Sequence, residues 1–278
     1  MENDGLVVAM GASTPLIASL IERAGFSVVN VTGAGLANMN FALPDYGMIT
    51  MTEQVEIIKR INDATTLPLI CDLDDGYGSA INVYRTISEV SRLDVGAVFI
   101  EDQQNPKRCG HFEEHAIIPL ESMVGKIHAA KDASLDPDMH LMIRTDALSA
   151  TGSFERTLEI AQAYVEAGAD SIFIEAIQTE QQIRDIPKRF QVPAVINLVE
   201  KGKTPMFPNA ELERMGYKIV FYGNALLKAS MLGVINMLEY VKEYDTTEGC
   251  DNQLMIPSEL RHEILKKETY RALIHKYQ

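Results

Sequence analysis

The chain has 278 residues, of which 46% are hydrophobic and 23% charged, a mixture that fills a core and excludes disordered and collagen-like classes. Its 25 Lys and Arg against 39 Asp and Glu leave a formal charge of −14 with no long basic run, which disfavours grip on a nucleic-acid backbone.

In chain order, residues 1–10 carry Glu2 and Asp4 and lack the basic start of a signal peptide. The first strand is expected at 7–10, and Thr14 before Pro15 reads as a helix N-cap with a first-turn proline. Gly25 then leads into an apolar run at 26–32. Thr50 and Glu53 form a capping-box pattern ahead of Val55, Ile58 and Lys59. Further apolar runs closed by polar residues follow at 68–74, at 97–102 after Gly96, and at 140–146. Phe154, Leu158, Ala161 and Val165 share one helical face. Runs at 169–175 after Gly168, at 192–197, and at 217–222 after Gly216 complete the series. Gly25, Gly96, Gly168 and Gly216 each suit the left-handed position that ends a helix. Helices are expected at 226–244 and 257–270.

Strands that are apolar almost throughout, alternating with amphipathic helices, indicate a parallel sheet covered by helices. Roughly eight such units point to an α/β fold, the (β/α)8 TIM barrel, with a doubly wound open sheet as the rival. No linker interrupts the units, so residues 1–278 read as one barrel domain, with 245–278 a C-terminal helical extension. That tail either caps its own subunit or is exchanged with a neighbour.

No apolar stretch approaches the ~20 residues that a membrane helix needs. Cys71, Cys109 and Cys250 are too few for a disulfide framework and lack zinc spacing, so reduced thiols and a cytoplasmic location are expected.

Chemistry concentrates at strand ends. Asp72, Asp74, Glu101, Asp102 and Glu175 all close apolar runs, and carboxylates sharing a barrel mouth repel one another unless a cation neutralises them. Hard oxygen donors without a spaced His and Cys set suit Mg2+, with Mn2+ possible. The loop Lys107-Arg108-Cys109-Gly110-His111 follows. Two cations favour the thiolate, Gly110 permits close backbone approach and His111 can donate to a carboxylate, so Cys109 is a candidate acid, base or nucleophile. Thr32-Gly33-Ala34-Gly35 is a weak fragment of a dinucleotide fingerprint, with Asn38 at the third glycine position. Its other use is a backbone nest for a carboxylate or carbonyl oxygen.

Taken together, these motifs, with Leu43-Pro44-Asp45-Tyr46-Gly47, Asp72-Leu73-Asp74-Asp75-Gly76-Tyr77-Gly78, Arg144-Thr145-Asp146-Ala147, Glu175-Ala176 and Asn197, resemble the isocitrate lyase and phosphoenolpyruvate mutase superfamily. The resemblance spans most of residues 5–230. It implies the same barrel, with the last barrel helix swapped between subunits of a homotetramer built as a dimer of dimers. The Lys-Arg-Cys-Gly-His loop looks like the carbon–carbon lyase branch, and the short chain looks like its 2,3-dimethylmalate and 2-methylisocitrate lyase members.

The activity so implied is Mg2+-dependent cleavage of a substituted 2-hydroxy dicarboxylate to pyruvate or another α-keto acid. Asp72, Asp74 and Glu101 would serve the metal. Lys107, Arg144, Cys109 and His111 would be catalytic, with Cys109 the proton donor. Thr32, Gly33, Ala34, Asp45, Gly110, Glu175 and Asn197 would bind substrate. Phosphonopyruvate or carboxyphosphonoenolpyruvate mutase chemistry, oxaloacetate decarboxylation and a keto acid-sensing barrel are the alternatives. Two departures stand out. Val199 occupies the place where methylisocitrate lyases usually have threonine, and Gly223-Asn224 stands where many relatives have proline followed by a small residue and a hydroxyl.

Overall fold

A computed structural model describes residues 5–107, 116–250 and 253–278. The elements are β1 (Val7–Ala12), α1 (Pro15–Arg23), β2 (Val29–Val31), α2 (Gly33–Phe41), α3 (Met51–Asn62), β3 (Leu69–Asp72), α4 (Ala80–Ser91), β4 (Ala97–Glu101), α5 (Leu120–Ala133) and β5 (His140–Thr145). They continue with α6 (Ala147–Thr151), α7 (Phe154–Glu166), β6 (Ser171–Ile174), α8 (Glu180–Asp185), β7 (Ala194–Asn197), α9 (Asn209–Met215), β8 (Ile219–Tyr222), α10 (Ala225–Tyr244), α11 (Ser258–Ile264) and α12 (Lys267–Tyr277).

The eight strands pair in sequence order and close into a parallel barrel through β1 and β8, where Val7 lies opposite Ile219 and Met10 opposite Tyr222. Closure rules out the open sheet. The apolar runs are strands because both of their faces are covered: every residue of β3, β4 and β6 is buried. One face packs outward against the helices, as where α3 buries Ile57, Ile58 and Ile61. The other fills the bore with Val28, Ile70, Met142 and Val195, topped by Phe99, Phe173 and Phe221. Those three rings lie with centroids 5.6 to 5.9 Å apart and pack against one another across the bore.

The helix starts follow the sequence. Thr14 accepts a hydrogen bond from the Ile17 N–H with Pro15 in the first turn, and Thr50 with Glu53 forms a reciprocal capping box. Gly25, Gly168 and Gly216 all have positive φ. Gly96 does not. There the left-handed residue is Asp94 (φ 55°), and a Cβ on Gly96 would meet the Pro68 side chain at 3.0 Å, so that glycine serves close strand approach instead. The expected strand at 26–32 contracts to Val29–Val31 because Gly33 already opens α2, and Asp74, expected to end a strand, lies past β3 with φ 51°.

The chain divides into two units at Leu226 and Leu227. In the second, the helix expected at 257–270 is two helices, because Lys266 adopts a left-handed conformation (φ 54°) and cannot continue α11 into α12. Tyr240 and Tyr244 sit with ring centroids 4.6 Å apart, and the Tyr240 hydroxyl donates to the Glu248 carbonyl at 2.7 Å. This unit exposes large apolar side chains on α10, among them Leu232 (58% exposed), Val234 (60%) and Leu238 (65%). Among the described residues no helix is long and apolar enough to cross a membrane.

Candidate active site at the barrel mouth

The carboxyl ends of parallel strands point the same way, so residues distant in sequence meet there. A cavity of about 50 Å3 opens at this end. Phe99, Phe173 and Phe221 line it, together with Asp72, Glu101, Arg144, Glu175 and Asn197 from the ends of successive strands. Thr32, Ala34, Asp45 and Lys107 join them from the connecting segments.

Asp72 is fixed by backbone. Its Oδ2 accepts the Gly33 N–H at 3.1 Å and its Oδ1 accepts the Asp74 N–H at 3.1 Å. Gly33 does not line the cavity; its amide is directed at Asp72, and a Cβ on it would stand 2.9 Å from Asp72 Oδ2 and 3.0 Å from Asp74 Oδ1. The Gln54 side-chain amide donates to the Asp72 carbonyl, tying α3 to the end of β3.

Lys107 is a buried cation among acids. Its ammonium donates to Asp74 Oδ1 and lies 2.8 Å from Asp45 Oδ1. Burial opposes its charge, but Asp74, Glu101, Asp45 and Asp72 outweigh that penalty and hold the ammonium well above the usual lysine range. Asp74 is pushed up to about 6 by burial, against the pull of Lys107. It faces a neighbouring groove, with Asp75 and Tyr77, that shares Lys107 with the cavity. Asp75 is held by Asn105 Nδ2 at 2.7 Å and by the Lys126 ammonium at 3.5 Å.

Across the mouth stands Arg144. Asp146 grips its guanidinium through two hydrogen bonds of 2.8 and 2.9 Å, Glu101 Oε2 is 3.2 Å away and Glu175 Oε2 3.4 Å. The guanidinium carbon lies 5.5 Å from the Phe173 ring centroid. Burial pushes the Glu101 carboxyl well above the usual range despite Arg144 and Lys107, and its Oε1 is buried without a hydrogen-bond partner among the described residues. Glu175 accepts the Ala176 N–H at 2.9 Å and Asn197 Nδ2 at 3.3 Å.

Asp45, Asp72, Asp74, Glu101, Asp146 and Glu175 therefore face Lys107 and Arg144, an excess of negative charge that suits an added cation. Among the described residues no group of three His, Cys, Asp or Glu converges closely enough to chelate an ion alone. Mg2+ commonly keeps several of its own waters and takes only one or two carboxylates. The orphaned Glu101 Oε1 is an acceptor that such a water could satisfy.

Asp102 has a different task. It accepts from Thr145 Oγ1 at 2.6 Å, the Asp146 N–H at 2.9 Å and the Tyr164 hydroxyl at 3.0 Å, joining β4, β5 and α7. Burial, with the charge of Asp146, pushes its carboxyl up to about 6. A carboxyl raised in the folded state binds protons more tightly there than in the unfolded chain, so it favours folding most at acid pH and loses that contribution as pH rises from about 4 through 6. Urea unfolding of Asp102→Asn and the parent should therefore diverge across this window. Relative to the variant, the parent should lose on the order of 3 kcal/mol. A difference independent of pH would show that burial imposes no such penalty.

Of the residues singled out from sequence, the structure brings together Thr32, Ala34, Asp45, Asp72, Glu101, Lys107, Arg144, Glu175 and Asn197, with Asp74 beside them. Cys109, Gly110 and His111 lie outside the described residues. Sequence reasoning missed Asn30, which lines the cavity from the middle of β2, and gave Asn224 no role although it lines the cavity just past β8. A polar side chain inside a fully buried strand was the available signal for Asn30.

Residues 2–242 match the family model described as phosphoenolpyruvate phosphomutase. The chain is 39% identical to 2,3-dimethylmalate lyase of Eubacterium barkeri, over 98% of this chain and 93% of that protein. It is 35% identical to 2-methylisocitrate lyase of Shewanella oneidensis, over 95% and 88% of the two. A solved structure of phosphonopyruvate hydrolase in complex with oxalate and Mg2+ superposes with a TM-score of 0.88 at 28% identity, covering 99% of this chain and 95% of that one. A barrel mouth of buried acids around two cations, with matches running almost end to end, makes this chain a member of the phosphoenolpyruvate mutase and isocitrate lyase superfamily, and a lyase of carbon–carbon bonds.

Proposed function

We propose that the chain cleaves a substituted 2-hydroxy dicarboxylate of the 2,3-dimethylmalate or 2-methylisocitrate kind, giving pyruvate or another α-keto acid and a second carboxylate. The 39% identity to 2,3-dimethylmalate lyase carries the reading. Magnesium, or manganese in its place, would be held by Asp72, with Asp74 and Glu101 orienting its waters and Asp45 near them. When bound, the ion would supply Lewis-acid chemistry that acidifies the substrate hydroxyl.

The residues of the chain supply the rest. Thr32, Gly33 and Ala34 form the side that takes the keto acid half, with Gly33 acting through Asp72, while Glu175 and Asn197 orient the other half. As the hydroxyl gives up its proton to solvent water, the C2–O bond becomes the keto carbonyl and the C2–C3 bond breaks. Its electron pair stays on the leaving fragment as an aci-carboxylate. Arg144 and Lys107, held in place beforehand by the acids around them, stabilise that charge, and His111 would add to it. The Cys109 thiol would then deliver its proton to the leaving carbon, with Gly110 next to it in the chain as a further substrate-binding candidate.

Pyruvate release from 2,3-dimethylmalate, 2-methylisocitrate and oxaloacetate, assayed in parallel with Mg2+, tests this, with phosphorus NMR on phosphonopyruvate as the competing arm. An alkylmalate or alkylisocitrate should be the substrate, and Cys109→Ser should lower its turnover by roughly 10²–10⁴-fold. Turnover of phosphonopyruvate or oxaloacetate alone would overturn the reading.

The same reading includes a cytoplasmic homotetramer, a dimer of dimers that exchanges its last barrel helix. The free, buried thiols of Cys71 and Cys250 support a reducing compartment, and exposed Leu232, Val234 and Leu238 support burial against another copy. Sedimentation as a monomer at micromolar concentration would refute the assembly.

A further inference from the structure

The segment joining β3 to α4 contains four residues with positive φ: Asp74 (51°), Gly76 (81°), Tyr77 (64°) and Gly78 (135°). Aspartate and tyrosine adopt that region at a cost, and such backbone persists only where its surroundings hold it. The hold comes from neighbouring elements. Lys126 on α5, only 4% exposed, donates from its ammonium to the Asp75 carbonyl at 2.7 Å, and Thr86 on α4 donates to the Gly76 carbonyl at 3.2 Å. The Asp74 carbonyl accepts the Glu101 N–H at 2.8 Å.

Asp75 lines the neighbouring groove and not the cavity, and its buried carboxylate has partners on both oxygens. Its Oδ1 accepts the Tyr77 N–H at 2.8 Å. Its Oδ2 accepts Asn105 Nδ2 at 2.7 Å and lies 3.5 Å from the Lys126 ammonium. Asn105 stands just before Pro106 and Lys107, and the Lys107 ammonium donates to Asp74. Adjacent acids thus grip one short stretch of chain, Asp75 at Asn105 and Asp74 at Lys107. A lysine carries its charge on a flexible four-carbon stem, so the place of its backbone decides where that charge arrives.

We propose that Lys126, Asp75 and Asn105 form a clamp of positioning residues that sets Lys107 at the cavity, none of the three lining the cavity itself. The clamp needs a carboxylate at its centre. Every described partner of the Asp75 side chain is a donor. An amide in its place would set its NH2 against Asn105 and Lys126 or, turned over, against the Tyr77 N–H. Lys126 fixes the clamp from outside, because its ammonium holds the carbonyl of the same residue whose carboxylate holds Asn105. This goes beyond the lyase reading and does not need it: any anion drawn to Lys107 in the cavity depends on the same placement, whichever bond is broken.

The test is calorimetric titration of the Mg2+-loaded protein with oxalate, a small dianion. Asp75→Asn removes a negative charge, which by itself would tighten anion binding. Misplacing Lys107 acts the other way, so oxalate should bind at least about fivefold more weakly. In a Lys107→Met background, where Arg144 still attracts the anion, the same substitution should weaken binding by less than about twofold. Asp75→Asn combined with Asn105→Asp reverses donor and acceptor and keeps the bond from the Tyr77 N–H. Its affinity should return to within about twofold of the parent. Parental or tighter binding by Asp75→Asn, equal weakening with and without Lys107, no recovery in the reversed pair, or no oxalate binding by the parent would each overturn the clamp. Asn105→Leu, at an exposed position, breaks the same link without a change of charge. It should weaken oxalate to the same extent, and it decides the matter if Asp75→Asn does not fold. The lyase reading fails on separate ground, when no alkylated substrate releases pyruvate.

Discussion

Replacing Arg144 with methionine is expected to lower stability by about 3–5 kcal/mol and to abolish turnover. The guanidinium lies within 3.5 Å of Asp146, Glu101 and Glu175, and all three acids are buried. Its removal takes the nearest countercharge from buried carboxylates. Arg144→Lys separates the two effects. Lysine keeps a positive charge and recovers part of the stability, but it cannot reproduce the paired bonds to Asp146, so the guanidinium's direction toward the cavity is lost. Turnover should still fall roughly 10²–10³-fold. Urea unfolding and steady-state kinetics on both variants check this, and an Arg144→Met protein as stable as the parent would show that these acids are not compensated by Arg144.

Gly33→Ala should be nearly as damaging to activity while sparing the fold. The added methyl would stand 2.9 Å from Asp72 Oδ2, closer than carbon and oxygen tolerate, and 3.0 Å from Asp74 Oδ1. Asp72 cannot retreat without giving up the Gly33 and Asp74 amides that fix it. The expected outcome is a loss of more than about 100-fold in kcat/KM, consistent with the cost of misplacing a reacting group by about an ångström. The circular dichroism spectrum should stay at the parent level. Mg2+ affinity, measured by titration, should weaken in parallel, and unchanged affinity would show that Asp72 tolerates the displacement.

The barrel was legible because its strands are apolar on both faces and end in acids. Val98, Ile100, Ile172 and Ile196 announce buried strands wherever they stand. Closure was not legible. Periodicity describes each strand separately, whereas the pairing of β1 with β8 joins Val7 to Ile219 across the whole unit. Local backbone was read well where one residue decides it, as at Thr14 and Thr50, and badly where two compete. At the end of α4, Asp94 takes the left-handed conformation that Gly96 was expected to supply, because an aspartate tolerates that region and the glycine is needed against Pro68.

In the site, the charged residues were legible because acids at the ends of apolar runs are conspicuous. Gly33 was read as a substrate contact, but its amide is directed at Asp72, a partner 39 positions away that no local pattern reveals. Asn30 was hidden inside a strand whose neighbours Val29 and Val31 are apolar, and only the barrel geometry turns it toward the cavity.

The bond from the Tyr164 hydroxyl to Asp102 carries a consequence for how this chain can change over time. Asp102 holds the Asp146 backbone, and the Asp146 carboxylate aims Arg144. The outer layer of the barrel thus works as a remote lever on the reaction. A drift in how α7 seats itself, far from any substrate, would re-aim the guanidinium, so lineages could retune rate through helix packing while every residue of the mouth stayed as it is.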